Sequence, residues 1–570
     1  MSQTTQQSKH PKGLWVLFGT EMWERFGYYL MIGIFSLYML DSTQNGGMGF
    51  SATKKSDIYG TYLGLVYLTP FIGGLLADRI LGYRKSIIIG ALTMAAGYFG
   101  LAIPGETSFY ISLLLIIIGN GFFKPNISTL VGNLYNKPEH QEQKDSGYNI
   151  FYMGINVGAF FCNFVAAYMR INYGWGYAFI AAGFGMLIGL IWFLKGMKHV
   201  KEADIIRPVT SEDMPMGKIL ATVFIPVFIF GFIGWILPGN IFGSDSNDAF
   251  LIGCLPVVFY YVSVWYRAKK EEKRPIAAML TVMGCVVVFW AIFHQNGDAL
   301  TVWAEKYTNR ELSVNTAKVA SSIELAQTMK YDESVNYDET SYSNHISQLR
   351  ASSDSLIKVG NNEEAKNIDK LISQKNKARE YFSNLPASKR PEVGSSLKLA
   401  STELFQSINA FWVVVLTPVI IFFFGLLRRR NSEPSTPAKI AIGLLITALS
   451  ALVMVVAAKS INTAEDKASA LWLWASYGVI TIGELCLSPM GLSLVSKLSP
   501  PRLTALMMGG WFLSTSIGNK LSGILSGLWD KYDDKSNFFL TNFFIVAVPA
   551  IILFLLLKWL NSVMKEKGVK

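Results

Sequence analysis

Three ionisable residues, Glu21, Glu24 and Arg25, sit inside a stretch that otherwise reads as one membrane-spanning helix, LWVLFGTEMWERFGYYLMIGIFSLYML over 14–40. A charged side chain at the centre of a spanning helix costs about 2.5–3.5 kcal/mol on insertion scales, so such groups persist where they face a partner or a water-filled path. The i,i+4 spacing of Glu21 and Arg25 and the i,i+3 spacing of Glu21 and Glu24 put all three on one helix face. Two acids and a base on one face can hold, lose or share a proton.

Lys124 is a fourth such group, in LLLIIIGNGFFKPNISTL. At 1.5 Å per residue, Glu24 and Lys124 lie at similar depth, roughly 10–15 Å from the same end of their helices. An ion pair is therefore expected if those helices face each other. Pro125 frees a backbone carbonyl beside the lysine. Glu484, near mid-depth in SYGVITIGELCLSPMGL, is the one acid of its span and can couple a proton to the charge of a ligand. His294 and Asp298, i,i+4 in FWAIFHQNGDALTVWAEK, fall toward the outer end of their span and are expected to titrate or latch the outer mouth. Tyr28, Tyr29, Tyr67 and Trp511 add aromatic groups, and Asn156 and Asn409 add amides. Singly, each is more often packing or interhelical contact. With the charges they would line a polar cavity with aromatic walls.

The elements that must hold these groups are membrane helices. The chain is 51% apolar and 16% charged, with a mean hydropathy of +0.33. Apolar runs of eighteen or more residues recur along it, each long enough to cross a hydrocarbon core of about 30 Å. A spanning β-barrel would need alternating segments of about ten residues instead, and none is evident. The fold class is therefore an all-α polytopic membrane protein, and fourteen spans are expected. The net charge of +11 suggests nucleic acid only superficially. Lys and Arg crowd alternate loops, which places both termini in the cytoplasm. The four cysteines lie in apolar segments without metal-ligand spacing. No metal, no cofactor and no catalytic constellation is expected.

The chain divides into a polar N-terminus (1–13), a first helical half (14–200) and a linker with an accessory hairpin (201–270). A spanning helix follows (271–303), then a polar insertion (304–402), the remaining helices (403–563) and a basic tail (564–570). The hairpin carries no intramembrane charge and reads as a lipid-packed pair. The insertion reads as a mobile extracytoplasmic segment, with Ile368–Phe382 able to form an amphipathic helix.

The turn GGLLADRILGYRKSIIIG carries Asp78, Arg79, Arg84 and Lys85. It resembles the loop signature of the major facilitator superfamily, whose acid latches across to the other half in one state. EMWERFGYY, GFFKPNIS, GYNIFYMGINVGAF and GELCLSPMG together resemble the proton-dependent oligopeptide transporters of that superfamily, bacterial type. The resemblance covers all but 304–402. It implies two six-helix bundles with a binding site between them, and the proton gradient as the driving force. It implies a proton-responsive network of Glu21, Glu24, Arg25 and Lys124. Arg25, Lys124 and Asn156 would face the carboxylate of a di- or tripeptide, and Glu484 with Asn409 its amino group. Tyr28, Tyr29, Tyr67 and Trp511 would line side-chain pockets. The implied protein is a monomer in a bacterial cytoplasmic membrane. The alternative is a facilitator for another solute, such as an amino acid, nitrate or a drug. Two positions depart from the family: an arginine and its paired acid are replaced by Ile32 and His294, so the outer gate must differ.

Overall fold

The computed structural model describes residues 10–41, 43, 46–50, 52–205, 215–242, 244–297, 299–322, 326–382, 385, 387–400, 403–461, 466–526 and 528–569. Helices dominate it. The first half comprises α1 (Lys12–Leu40), α2 (Ala52–Leu68), α3 (Pro70–Leu76), α4 (Tyr83–Leu101), α5 (Glu106–Leu134), the one-turn α6 (Pro138–Gln141), α7 (Lys144–Tyr173) and α8 (Trp175–Gly196). A hairpin of α9 (Met216–Ile236) and α10 (Asp245–Arg267) follows. The second half opens with α11 (Lys270–Phe293) and, after a short 3-10 turn, α12 (Ala299–Lys306). An inserted module holds β1 (Thr308–Asn309), α13 (Val314–Ser322), β2 (Ala326–Lys330), α14 (Glu339–Lys358), α15 (Asn362–Phe382) and β3 (Ser396–Ala400). The chain closes with α16 (Glu403–Arg429), α17 (Thr436–Lys459), β4 (Ala468–Ser469), α18 (Ala470–Leu498), α19 (Thr504–Ser526) and α20 (Lys535–Glu566).

Ten helical runs among the described residues are long and apolar enough to cross a bilayer. The outward faces are themselves apolar: Phe228 is 73% and Leu555 78% exposed, the reverse of a water-soluble surface. Helices α1, α4 and α19 fall outside that set, and α9 supplies only the shorter apolar run Ala221–Ile236. In α1 the charged face dilutes the apolar average.

Within the first half α1 packs on α7 and α8, and α4 on α5; within the second α17 packs on α18 and α20, and α11 on α19. The halves meet where α7 crosses α16 and α18, and where α19 lies against α2, α3 and α5. Close approach of α3 to α5 depends on Gly73, where a Cβ would stand 1.9 Å from the Gly121 carbonyl oxygen.

Three features differ from the sequence reading. The expected span 275–303 is broken: α11 ends at Phe293, and His294–Gly297 forms a 3-10 turn before α12. Asn and Gly are poor helix formers, and the turn falls on them. The hairpin is more than a lipid-packed pair. Tyr261 of α10 donates to the Leu506 carbonyl of α19 at 2.7 Å, while its ring lies 5.8 Å from Phe71 of α3. The hairpin therefore touches both halves at their seam.

The insertion is a packed module rather than a loose loop. Strands β2 and β3 pair antiparallel, and α15 covers them through Ala378, Tyr381 and Phe382, enclosing Met329 and Leu399. Helices α14 and α15 meet through Tyr342, Ile346 and Ile372. The module is tied to the bundle by β1 pairing with β4, by Lys389 pairing with Asp466 at 3.3 Å, and by the Lys467 ammonium, 4.2 Å from the Tyr381 ring centroid.

Candidate functional site

The costly charges converge on one cavity between the halves. Its wall includes Glu21 and Arg25 from α1, Tyr67 from α2 and Lys124 from α5. Phe151, Tyr152 and Asn156 of α7 join them, with Trp290, Phe293 and His294 at the end of α11. Asn409 of α16, Glu484 and Ser488 of α18, and Trp511, Phe512 and Thr515 of α19 complete it. It offers about 110 Å³ to water-sized molecules, against the about 10–15 Å³ that one water needs, so it admits a ligand of several heavy atoms.

One wall is a cationic pole. Arg25 is gripped by its neighbour Glu24 through two hydrogen bonds, one of them Nη2 to Oε1 at 2.5 Å. Glu21 stands further off, its Oε1 3.6 Å from Arg25 Nε. The other oxygen, Glu21 Oε2, is buried with no hydrogen-bond partner. Glu24 is fully buried behind the cavity wall rather than in it. Lys124 does not form the expected ion pair with these acids. Its Nζ rests 4.0 Å from the Tyr67 ring centroid and 4.9 Å from that of Phe512. Such contacts stabilise an ammonium by about 0.5–2 kcal/mol and leave its N–H groups without acceptors. The charges of Glu21, Glu24 and Arg25 reach it only through space.

The opposite wall is an anionic pole. Glu484 Oε1 accepts from the Tyr152 hydroxyl at 2.5 Å, and Oε2 from the Asn409 amide at 2.8 Å. Asn409 is steadied by Thr481 at 2.9 Å. Both donors are neutral, so the carboxylate is oriented while its charge stays uncompensated. Tyr152 belongs to the first half and Glu484 to the second, so the bond crosses the seam. Trp511 is seated by a glycine: a Cβ at Gly491 would fall 1.8 Å from the indole ring.

Most expected site residues reach this wall, Tyr29 among them, whereas Glu24 and Tyr28 do not. Tyr28 is buried behind it, its ring 4.6 Å from Arg25 Cζ. Asp298 lies outside the described residues. His294, expected at the outer mouth, lines the cavity, its Nδ1 3.1 Å from the Trp290 carbonyl. The early end of α11 turns it inward. Sequence reasoning missed Tyr152, although it is i,i+4 from Asn156 and so on the same helix face.

At the end of the bundle that carries the basic loops, two further contacts join the halves. Asp78 accepts from the Leu506 backbone N–H at 3.1 Å and from the Tyr83 hydroxyl at 2.8 Å. Leu506 lies in the first turn of α19, whose N–H groups lack intrahelical acceptors, so Asp78 caps that helix from the other half. Arg84 pairs instead with Asp204 at 2.6 Å, within its own half. Arg79 is half-buried and Lys85 exposed on the same turn. Asp145 of α7, not singled out from the sequence, accepts from Lys439 and from Lys497 at 2.8 Å each, and also from Ser493. Among the described residues, no group of three or more His, Cys, Asp or Glu is placed to hold a metal ion.

Residues 84–322 and 393–542 match the POT family. The chain belongs to the POT family. It is 30% identical over 553 residues to the uncharacterized transporter YclF of Bacillus subtilis (strain 168), covering 96% of this chain and 94% of that one. It is 28% identical to a di-/tripeptide transporter of Lactococcus lactis subsp. lactis (strain IL1403), covering 95% and 94%. A crystal structure of a peptide transporter POT in complex with sulfate matches with a TM-score of 0.63 at 28% identity, covering 98% of this chain and 97% of that one. A mutant form of a peptide transporter POT, in complex with alafosfalin, matches with a TM-score of 0.61 at 28% identity and the same coverage. The fold is thus that of a POT transporter: an all-α membrane protein of the major facilitator type. Ile32 is a partly buried packing residue here, and His294 brings an imidazole to the cavity wall.

Proposed function

We propose that this protein imports di- and tripeptides together with protons by alternating access. The observation that carries the reading is a pair of poles in one cavity, on opposite halves, that lack a counter-charge among the described residues: Lys124 without an anionic partner and Glu484 without a cationic one. A short peptide is a zwitterion, and its termini supply the two missing charges. Pole separation then limits peptide length, while the aromatic walls tolerate varied side chains.

The proton acts through Arg25. Glu24 holds the guanidinium and Glu21 flanks it with one unbonded oxygen. Protonating either acid weakens that hold, leaving the guanidinium to join Lys124 on the peptide carboxylate. Losing the proton recaptures the cation and expels the peptide. Breaking one side of a buried pair costs roughly 3–5 kcal/mol, enough to bias a two-state change. Lys124, already without a carboxylate, is the standing part of the anion site, and Arg25 the conditional part.

The basic end faces the cytoplasm of a bacterial inner membrane, with both termini inside. The protein works as a monomer, needs no cofactor and catalyses no reaction. An anionic solute such as nitrate would leave Glu484 without use, which favours peptides.

The test is uptake of labelled dialanine into liposomes with an imposed pH gradient. Uptake collapses on adding an uncoupler; uptake indifferent to the gradient would sink the coupling. Glu24→Gln abolishes gradient-driven uptake and keeps counterflow exchange. Glu484→Gln weakens dialanine binding at least tenfold, the worth of one charge-assisted hydrogen bond.

A further inference from the structure

His294 is held in a defined tautomer with one nitrogen uncommitted. Its Nδ1 lies 3.1 Å from the Trp290 carbonyl. A carbonyl oxygen can only accept, so Nδ1 carries the hydrogen. In the neutral ring Nε2 is then a bare acceptor. Among the described residues no donor reaches Nε2, and the side chain is half-buried in the cavity wall. The ring is also fixed in place, 5.3 Å from Trp290 and 5.5 Å from Phe293, centroid to centroid. Lys124 lines the same cavity as the ring. The imidazole shares the cavity wall with Lys124 and Arg25, whose side chains can only donate.

We propose that His294 is a specificity-determining residue, accepting a hydrogen bond from a donor that the ligand carries beside its carboxylate. This rests on the peptide reading above and sharpens it. In a zwitterionic peptide the donor nearest the carboxylate is the N–H of the last peptide bond, separated from the carboxyl carbon by a single Cα. A hydroxyl on the last side chain is the second source of the same chemistry. An ester at that bond places a lone pair where the N–H was, against the Nε2 lone pair. The site so built prefers an amide to an ester and does not merely read charge.

The test is binding of three ligands to the purified full chain in nanodiscs by calorimetry. The ligands are dialanine, its ester analogue with lactate in place of the second alanine, and alanyl-serine. Measurements at pH 8 stand above the ordinary imidazole pKa of about 6.5, so the ring is neutral. Wild type binds dialanine about tenfold tighter than the ester, the cost of leaving one buried acceptor unpaired. His294→Phe weakens dialanine by a similar factor and brings the two ligands within about twofold, because either change alone removes the same bond. His294→Gln, which restores an acceptor oxygen, recovers part of the preference. If alanyl-serine instead gains over dialanine in wild type and loses that gain in His294→Phe, the donor is the side-chain hydroxyl. Preferences identical in wild type and both variants overturn the role of His294 while leaving peptide binding intact. Wild type that binds neither dipeptide overturns the peptide reading and this inference with it.

Discussion

Two buried charge clusters bridge the halves, and they are built on opposite plans. At the basic end Asp145 meets two ammonium groups at 2.8 Å, and Lys439 has a second carboxylate, Glu433, at 2.7 Å. Asp145, Lys439, Lys497 and Glu433 each have a partner of opposite sign. In the central cavity Lys124 sits with Tyr67 and Phe512, and Glu484 sits with a phenol and an amide. Burying a charge without its counter-charge is expensive. The first cluster meets that cost within the protein and acts as a lock. The second leaves it open, and a ligand with both charges can meet it.

The largest expected effect breaks the lock. Asp145→Asn leaves Lys439 and Lys497 sharing a site without its carboxylate, which costs roughly 3–5 kcal/mol. Thermal unfolding followed by intrinsic fluorescence should fall by several degrees, and Lys439→Met, which leaves Asp145 with Lys497, should lose less. The next removes a cavity charge. Lys124→Met breaks no ion pair, so unfolding stays within about 1 kcal/mol of wild type. Dialanine affinity, measured by calorimetry, falls tenfold to a hundredfold, as expected for a lost charge-assisted hydrogen bond. A Lys124 variant as unstable as Asp145→Asn would erase the distinction between lock and site.

The smallest effect tests a third cation, beside the inserted module. Lys467 is half-buried against the Tyr381 ring, 4.2 Å from its centroid. Burial first, and the Arg310 charge second, pull its pKa from 10.5 to about 8. The folded chain therefore binds fewer protons than the unfolded one between those values, and stability climbs with pH across that window. Below pH 8 the full cost of the charge remains. Thermal unfolding at pH 7 and at pH 10 should show wild type gaining on Lys467→Met. A constant gap between the two would show that the ammonium is not penalised.

The cavity was legible where charge violates a hydrophobic run. Glu21, Arg25, Lys124 and Glu484 announce themselves because an apolar helix tolerates them only with a purpose. What stayed hidden depends on distance along the chain or on how a helix ends. Asp145 finds its lysines 294 and 352 residues later, and a charge at a helix end is unremarkable alone. Lys124 was expected on an acid because depth fixes height in the membrane but not which rings intervene. The place of His294 in the cavity wall stayed hidden because the apolar pattern runs on past Phe293, whereas the helix does not. The module's core is carried by few apolar residues, so its polar composition read as a mobile segment.

The backbone of Leu506 draws on three bodies at once. Its N–H serves Asp78 of the first half, its carbonyl serves Tyr261 of the hairpin, and it belongs to the helix that carries Trp511 into the cavity. A rocking motion that widens the seam between α3 and α19 parts this joint on one side before the other. The hairpin travels with the second half while the Tyr261–Leu506 bond holds, and with the first if the Tyr261–Phe71 ring contact outlasts it. The hairpin's outer face is apolar, with Phe228 73% and Phe259 63% exposed, so a bilayer around it would bear on this joint as well.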